Sequence, residues 1–238
     1  MNEHPSILII AGEPSGDLHA AGVARELLRE KPHVQLFGIG GEHLHALGQE
    51  QLYDTRRMAI MGFSEVVRHL PFLRRVFRHL EQEIIRRKPS CAILVDYPGF
   101  NLRLAKILKK HHVPILYYIA PQVWAWGAKR IPQMAKVLDH LAVVFEFEVE
   151  MFRSAGLATT FVGHPLLDVL QPGKSREAFL AAYGLQPGQP VLGLLPGSRG
   201  QEVERLLPDM LATLAHLRRS VPEIQAVVAA VSHLDVAL

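Results

Sequence analysis

Four apolar residues, Ile7-Leu8-Ile9-Ile10, run without interruption into Ala11-Gly12-Glu13-Pro14-Ser15-Gly16-Asp17. An apolar run that lacks polar alternation suits a parallel strand covered on both faces, and the glycines let backbone come close to whatever sits at the strand's carboxyl end. In open α/β sheets that end is where ligands bind. The construction returns at Val191-Leu192-Gly193-Leu194-Leu195, which runs into Pro196-Gly197-Ser198-Arg199-Gly200-Gln201-Glu202. Two openings of this kind predict two α/β units.

Between them the periodicity switches repeatedly between strand and helix. A helix is expected over 18–30 and a second strand over 34–37, followed by the glycines 38, 40 and 41. Residues 64–88 have helical period, interrupted at Pro71. Cys91 to Val95 reads as the third strand, closed by Asp96. Helix 101–112, strand 115–119, helix 129–139, strand 141–145, helix 146–155 and strand 159–162 complete a βα alternation, which predicts a doubly wound parallel sheet. The polar stretch 168–175, with Pro172 and Gly173, suggests a boundary, giving a Rossmann-like domain over 1–168. Residues 169–238 then hold a linker and an incomplete second Rossmann-like domain, with a short helix 176–183, helix 201–219 and a strand near 224–231.

Composition narrows the function classes. The single cysteine, Cys91, lies in an apolar run and offers neither a disulfide framework nor a cysteine metal site. The amino terminus lacks the basic charge and apolar length of a secretory signal, and the longest apolar stretch, 113–128, is broken by Pro121 and Gln122, so a cytoplasmic protein is expected. Net charge is only +3, but 56–88 carries nine basic residues against Glu65, Glu81 and Glu83. Anionic lipid or phosphate is as natural a partner for that segment as nucleic acid. Within it Leu73, Val76, Phe77 and Leu80 form one helical stripe flanked by Arg74, Arg75 and Arg78, which predicts docking on an anionic membrane; the competing arrangement packs the stripe on the protein's own sheet.

For chemistry, Asp96 is the sharpest candidate: a carboxylate closing an apolar strand, followed by Tyr97-Pro98-Gly99-Phe100-Asn101, stands where burial can raise its pKa and fit it as a base. A turn or capping role is its alternative, although Asn101 stands nearer the next helix and fits a cap better. Ser15 and Asp17 flank a helix start, where capping alone accounts for them. Gly197, Ser198 and Arg199 combine a glycine turn, a helix amino terminus and a guanidinium, each favourable to phosphate. Thirteen histidines include no His-Glu-x-x-His, and no Asp-x-Asp occurs, so no metal or cofactor is expected. Nicotinamide binding would need an acidic residue ending the second strand, where glycines stand instead, and a serine hydrolase would need the Gly-x-Ser-x-Gly elbow that is lacking. His164 is expected to act as a hinge or packing residue.

Six blocks in order, Ala11 to Asp17, Met61-Gly62-Phe63-Ser64-Glu65-Val66, Asp96 to Asn101, Ala120-Pro121-Gln122-Val123-Trp124-Ala125-Trp126, Gly163-His164-Pro165 and Leu195 to Val203, closely resemble the lipid-A-disaccharide synthase family. The resemblance implies a GT-B arrangement of two Rossmann-like domains. It implies metal-independent, inverting transfer from UDP-2,3-diacylglucosamine to 2,3-diacylglucosamine 1-phosphate, with UDP released. Asp96 would be the general base, and Gly197, Ser198, Arg199 and Glu202 would hold the UDP diphosphate. Glu13, Ser15, Gly16, Asp17, Trp124 and Trp126 would line the acceptor side. Peripheral association with the inner membrane and no nucleic-acid partner follow from the same family. Members continue past position 238, so the chain alone is expected to be inactive. A noncatalytic membrane-surface module and a nicotinamide oxidoreductase are the rival readings.

Overall fold

The structure, a computed structural model, describes residues 5–59, 70–170, 173–198 and 200–230 and divides into two compact units, Met1–Leu170 and Gln171–Leu238. The first unit opens with β1 (Ser6–Ala11), α1 (Pro14–Glu30) and β2 (Gln35–Gly40). Next come α2 (Glu42–Ala46), β3 (Glu50–Asp54) and α3 (Thr55–Ala59). Past the undescribed 60–69 lie α4 (Leu70–Arg87), β4 (Cys91–Val95), α5 (Pro98–Lys110) and β5 (Ile115–Tyr118). The unit closes with α6 (Val123–Trp126), α7 (Ile131–Val137), β6 (His140–Val143), α8 (Phe147–Arg153), β7 (Thr159–Phe161) and α9 (Leu166–Val169).

The seven strands are ordered β3-β2-β1-β4-β5-β6-β7, and every neighbouring pair is parallel. The chain therefore starts in the middle, winds out to β3, returns to lay β4 beside β1 and winds out the other way. Alternate residues of one strand feed opposite cores: Leu8, Ile10 and Leu94 pack under α4, α5 and α7, while Ile7, Ile9 and Ile93 pack under α1 and α2. Burial on both faces is why these strands show no polar alternation. The doubly wound α/β fold expected for the first unit is the one observed.

Several details differ from expectation. Helix α1 begins at Pro14, four residues early, because proline at the first helical position has no amide to satisfy. β2 extends through the glycines instead of ending before them; a Cβ at Gly38 would lie 2.1 Å from the Ile9 carbonyl oxygen, so close strand packing demands glycine there. β3, with the polar sequence Glu-Gln-Leu-Tyr-Asp, lies at a sheet edge and makes Cys91–Val95 the fourth strand. From Leu70 to Arg87 α4 is continuous through Pro71, and the part of the expected segment before Leu70 lies outside the described residues.

The apolar stripe expected to enter a membrane is turned inward. Val76 and Leu80 are fully buried, Leu73 and Phe77 pack against the same core, and the Phe77 ring stacks on Phe100 at 4.5 Å. Burial against the unit's own sheet outweighs insertion, leaving Arg74, Arg75 and Arg78 exposed on the other side. The part of the segment over 60–69 lies outside the described residues. Among those described, no helix is long and apolar enough to cross a membrane.

The second unit contains α10 (Arg176–Ala182), β8 (Val191–Leu194), α11 (Gly200–Leu217) and β9 (Gln225–Val228). Ser175 caps α10, its hydroxyl accepting from the Ala178 amide at 3.2 Å. β8 and β9 pair in parallel, and among the described residues this unit buries Leu180, Leu194, Pro196, Leu207 and Leu214.

Candidate active site

Winding out in both directions from β1 and β4 leaves a crevice between their carboxyl ends, where Ala11 is in register with Val95. Ligands bind at such a switch point in open α/β sheets. Two loops form it, residues 12–13 after β1 and 96–97 after β4. Tyr97 turns over the first loop so closely that a Cβ at Gly12 would lie 2.3 Å from its ring, and its hydroxyl donates to the Met58 carbonyl at 3.4 Å. Gly12 thus serves close approach, as the sequence suggests, but to a tyrosine.

Asp96 and Tyr97 both adopt left-handed backbone, φ 45° and 48°. Non-glycine residues held there typically cost ~1–3 kcal/mol each and persist only when their surroundings fix them. The surroundings are visible. The Asp96 amide donates to Tyr118 at 3.0 Å, and its carbonyl receives both the Asn101 side-chain amide and the Tyr117 hydroxyl at 2.7 Å. Asn101 also donates to the Val95 carbonyl at 3.1 Å. It is therefore not a cap: it sits inside the first turn of α5, fully buried, and ties the helix back to the end of β4. Tyr117, buried in the adjacent strand, holds Asp96 in a way no local motif reveals.

The Asp96 side chain is left half-buried at the crevice. Burial pushes its carboxyl above the ordinary value, and the nearby Glu13 carboxylate pushes it further, against the opposing hydrogen bond from the Tyr97 backbone. A carboxylate poised this way suits proton abstraction. Glu13 is half-buried, Ser15 exposed and Gly16 buried against Ala11.

Asp17 has a different place. It is 2 % exposed, and its carboxylate accepts from the amides of Gly41 at 2.7 Å, His43 at 2.9 Å and Leu44 at 3.3 Å. It caps α2, twenty-four or more positions away, and makes no cap for its own helix. Trp124 is exposed at the end of α6, with its ring edge-on to Phe147 at 5.4 Å. Of Trp126 only the backbone is described. His164 packs between Phe145 and His19.

In the second unit Gly197 (φ 118°) and Ser198 form the turn before α11, and the Ser198 amide donates to the Glu202 carboxylate at 3.1 Å. Arg199 lies outside the described residues. Among the described residues no three His, Cys, Asp or Glu side chains are grouped to hold a metal ion. A concavity of about 320 Å³ lined by Leu28, Leu36, Leu47, Glu50 and Arg87 opens at the amino ends of β2 and β3, the end opposite to that at which these sheets bind ligands.

A doubly wound first unit with its crevice at β1 and β4, followed by a second strand-turn-helix opening, defines a Rossmann-like protein of the GT-B class. Solved structures of that architecture superpose on it at low identity: a UDP-GlcNAc 2-epimerase from Neisseria meningitidis bound to UDP-GlcNAc (TM-score 0.63, 12% identity, 96% of this chain and 66% of that one) and a Medicago truncatula enzyme complexed with UDP-glucose (TM-score 0.53, 9% identity, 97% and 73%). The family model described as Lipid-A-disaccharide synthetase matches residues 7–235. Lipid-A-disaccharide synthases of Geobacter sulfurreducens (45% identity, 98% of this chain and 62% of the relative) and Myxococcus xanthus (40%, 99% and 61%) are similar along nearly all of the chain. The chain belongs to the lipid-A-disaccharide synthetase family. It spans about three fifths of the length of these curated relatives.

Proposed function

We propose that this chain supplies the acceptor side and the opening of the nucleotide side of a glycosyltransferase that joins UDP-2,3-diacylglucosamine to 2,3-diacylglucosamine 1-phosphate. Asp96 carries the reading: a carboxylate held at a sheet switch point in strained backbone, with its pKa raised by burial and Glu13. In the reaction Asp96 takes the proton from the acceptor's 6-hydroxyl as that oxygen attacks the anomeric carbon and the bond to UDP breaks, inverting the centre. Charge gathers on the departing diphosphate, where the amides of the turn at Gly197 and Ser198 and the guanidinium of Arg199 would stabilise it. Glu202, which holds the Ser198 amide, would have to yield that donor to phosphate. Glu13, Ser15 and Gly16 line the acceptor side, with Asp17 fixing the α1 turn against α2. The exposed row Arg74, Arg75 and Arg78 is suited to anionic lipid headgroups, which would keep the protein at the inner membrane surface where acylated substrates reside.

The test is a chimera in which this chain replaces the matching 62% of the Geobacter sulfurreducens relative. Incubated with both substrates, it should form disaccharide 1-phosphate and UDP in equal amounts. UDP release without disaccharide, or neither product from a folded chimera, refutes the proposal.

A further inference from the structure

Three aromatic residues stand exposed at the carboxyl edge of β5 and β6: Trp124 (45 %), Phe145 (39 %) and Phe147 (59 %). They are not scattered. Phe145 and Phe147 stack with centroids 5.7 Å apart and planes within 16°, and Trp124 meets Phe147 edge-on. Among them Glu148 is 1 % exposed, its carboxylate accepting from the Phe145 amide at 3.4 Å. Burying a carboxylate is costly unless it is bonded, and here the bond ties Glu148 to the backbone of Phe145 at one end of the exposed apolar shelf. From the shelf the rings continue inward. Phe145 lies 6.0 Å from His164, and His164 lies 6.4 Å from His19 on α1, one turn past Glu13 and Ser15. The row thus leads from the shelf to the loop that faces Asp96.

What would lie on it follows from what it lacks. The phenylalanine rings carry no polar group, the Glu148 carboxylate is buried and accepts from the Phe145 amide, and His164 Nδ1 accepts from the Leu166 amide at 3.3 Å. A sugar or a base laid on the rings finds hardly a polar group there to select it, whereas a hydrocarbon draws its whole binding from burying apolar surface. Glu146 and Glu150 flank the shelf in sequence and are exposed, so an anionic membrane face is disfavoured relative to a single chain. We propose that the shelf of Trp124, Phe145 and Phe147 binds an acyl chain of the acceptor, which leaves the reacting sugar along the His19 and His164 rings. This rests on the acylated-glucosamine reading of the Asp96 site.

The experiment uses this chain beside its Trp124→Phe variant, so that the difference between the two signals reports Trp124, the other tryptophan being Trp126. The probe is 2,3-diacylglucosamine 1-phosphate brominated midway along its acyl chains, below its micellar concentration, with its phosphorus NMR line followed in parallel. Saturable quenching of Trp124 fluorescence is expected with the brominated probe, no competition from unacylated glucosamine 1-phosphate, and at least tenfold weaker quenching in Phe147→Asp. Phosphorus line broadening without quenching overturns the shelf and leaves the acceptor reading standing. Equal quenching by a brominated fatty-acid methyl ester, with no phosphorus response to the sugar phosphate, overturns the acceptor reading instead. Quenching by brominated phospholipid vesicles alone overturns the assignment to a substrate chain in favour of membrane docking.

Discussion

Asp17→Ala should unfold the first unit more readily than any other single truncation in the glycine-rich turn after β1. The carboxylate serves three amides of the α2 start, those of Gly41, His43 and Leu44, and two of these bonds are buried. Alanine leaves the two buried donors, the amides of Gly41 and Leu44, without an acceptor in a place water does not reach. Each buried donor left unsatisfied costs about 1–3 kcal/mol, and a lost cap adds ~0.5–2 kcal/mol. Relief from keeping a carboxylate buried offsets part of this, so the net loss should be about 3–5 kcal/mol out of a domain stability of ~5–15 kcal/mol. Asp17→Asn keeps an oxygen for Gly41 and Leu44 but turns a donor toward the His43 amide, and should lose about half as much. Urea unfolding followed by tryptophan fluorescence reads the first unit alone, since both tryptophans, Trp124 and Trp126, lie in it. An Asp17→Ala midpoint within ~0.5 kcal/mol of the parent would refute the assignment of this carboxylate as the clamp between α1 and α2.

Further expectations concern the Asp96 loop. Because Glu13 helps hold the Asp96 carboxyl up, Glu13→Gln should lower that pKa and move the acid limb of the chimera's pH–rate profile to lower pH; an upward move or none contradicts the pairing. A carboxyl raised in the folded state binds its proton more tightly there than in the unfolded chain, so stability falls as pH rises from the ordinary carboxyl value through the raised one. Asp96→Asn should therefore be at least as stable as the parent at neutral pH, with the difference closing in acid below the ordinary carboxyl value, as urea midpoints across pH would reveal. Tyr117→Phe removes one of the two 2.7 Å bonds to the Asp96 carbonyl and should cost ~0.5–1.5 kcal/mol in urea unfolding, with Asn101→Ala costing more because it loses two bonds and leaves a cavity.

The parts legible in the sequence are those where one residue type has one use. Runs such as Ile7 to Ile10 and Cys91 to Val95 can only be strands buried on both faces, and their recurrence fixed the sheet type. β3 escaped because an edge strand is half solvated and carries polar residues, so its pairing with β2 leaves no apolar run to read. The membrane stripe on α4 was ambiguous for a physical reason: an amphipathic helix has the same period whether its apolar face meets a sheet or a bilayer, and only the core contacts of Val76 and Leu80 decide. Asp96 could be singled out from its position at the end of β4. Its holders could not, because Tyr117 lies on the next strand and meets it only through the sheet. Asp17 misled for the same reason, its partners being long-range amides that no local capping pattern encodes. The aromatic shelf left a faint trace in the alternation Phe145-Glu146-Phe147-Glu148, which reads as ordinary surface until Glu148 is seen buried and bonded to the Phe145 amide.

The central claim is that Asp96 is the base of a glycosyl transfer. Its most direct test is Asp96→Asn in the chimera with the Geobacter sulfurreducens relative, measuring kcat for disaccharide formation alongside the Kd of UDP. An amide keeps the shape of the side chain but cannot accept the hydroxyl proton, so kcat should fall by ~10²–10⁴ while the Kd of UDP stays within about twofold. Turnover near that of the parent chimera, or a loss of turnover matched by an equal loss of UDP affinity, would contradict the account.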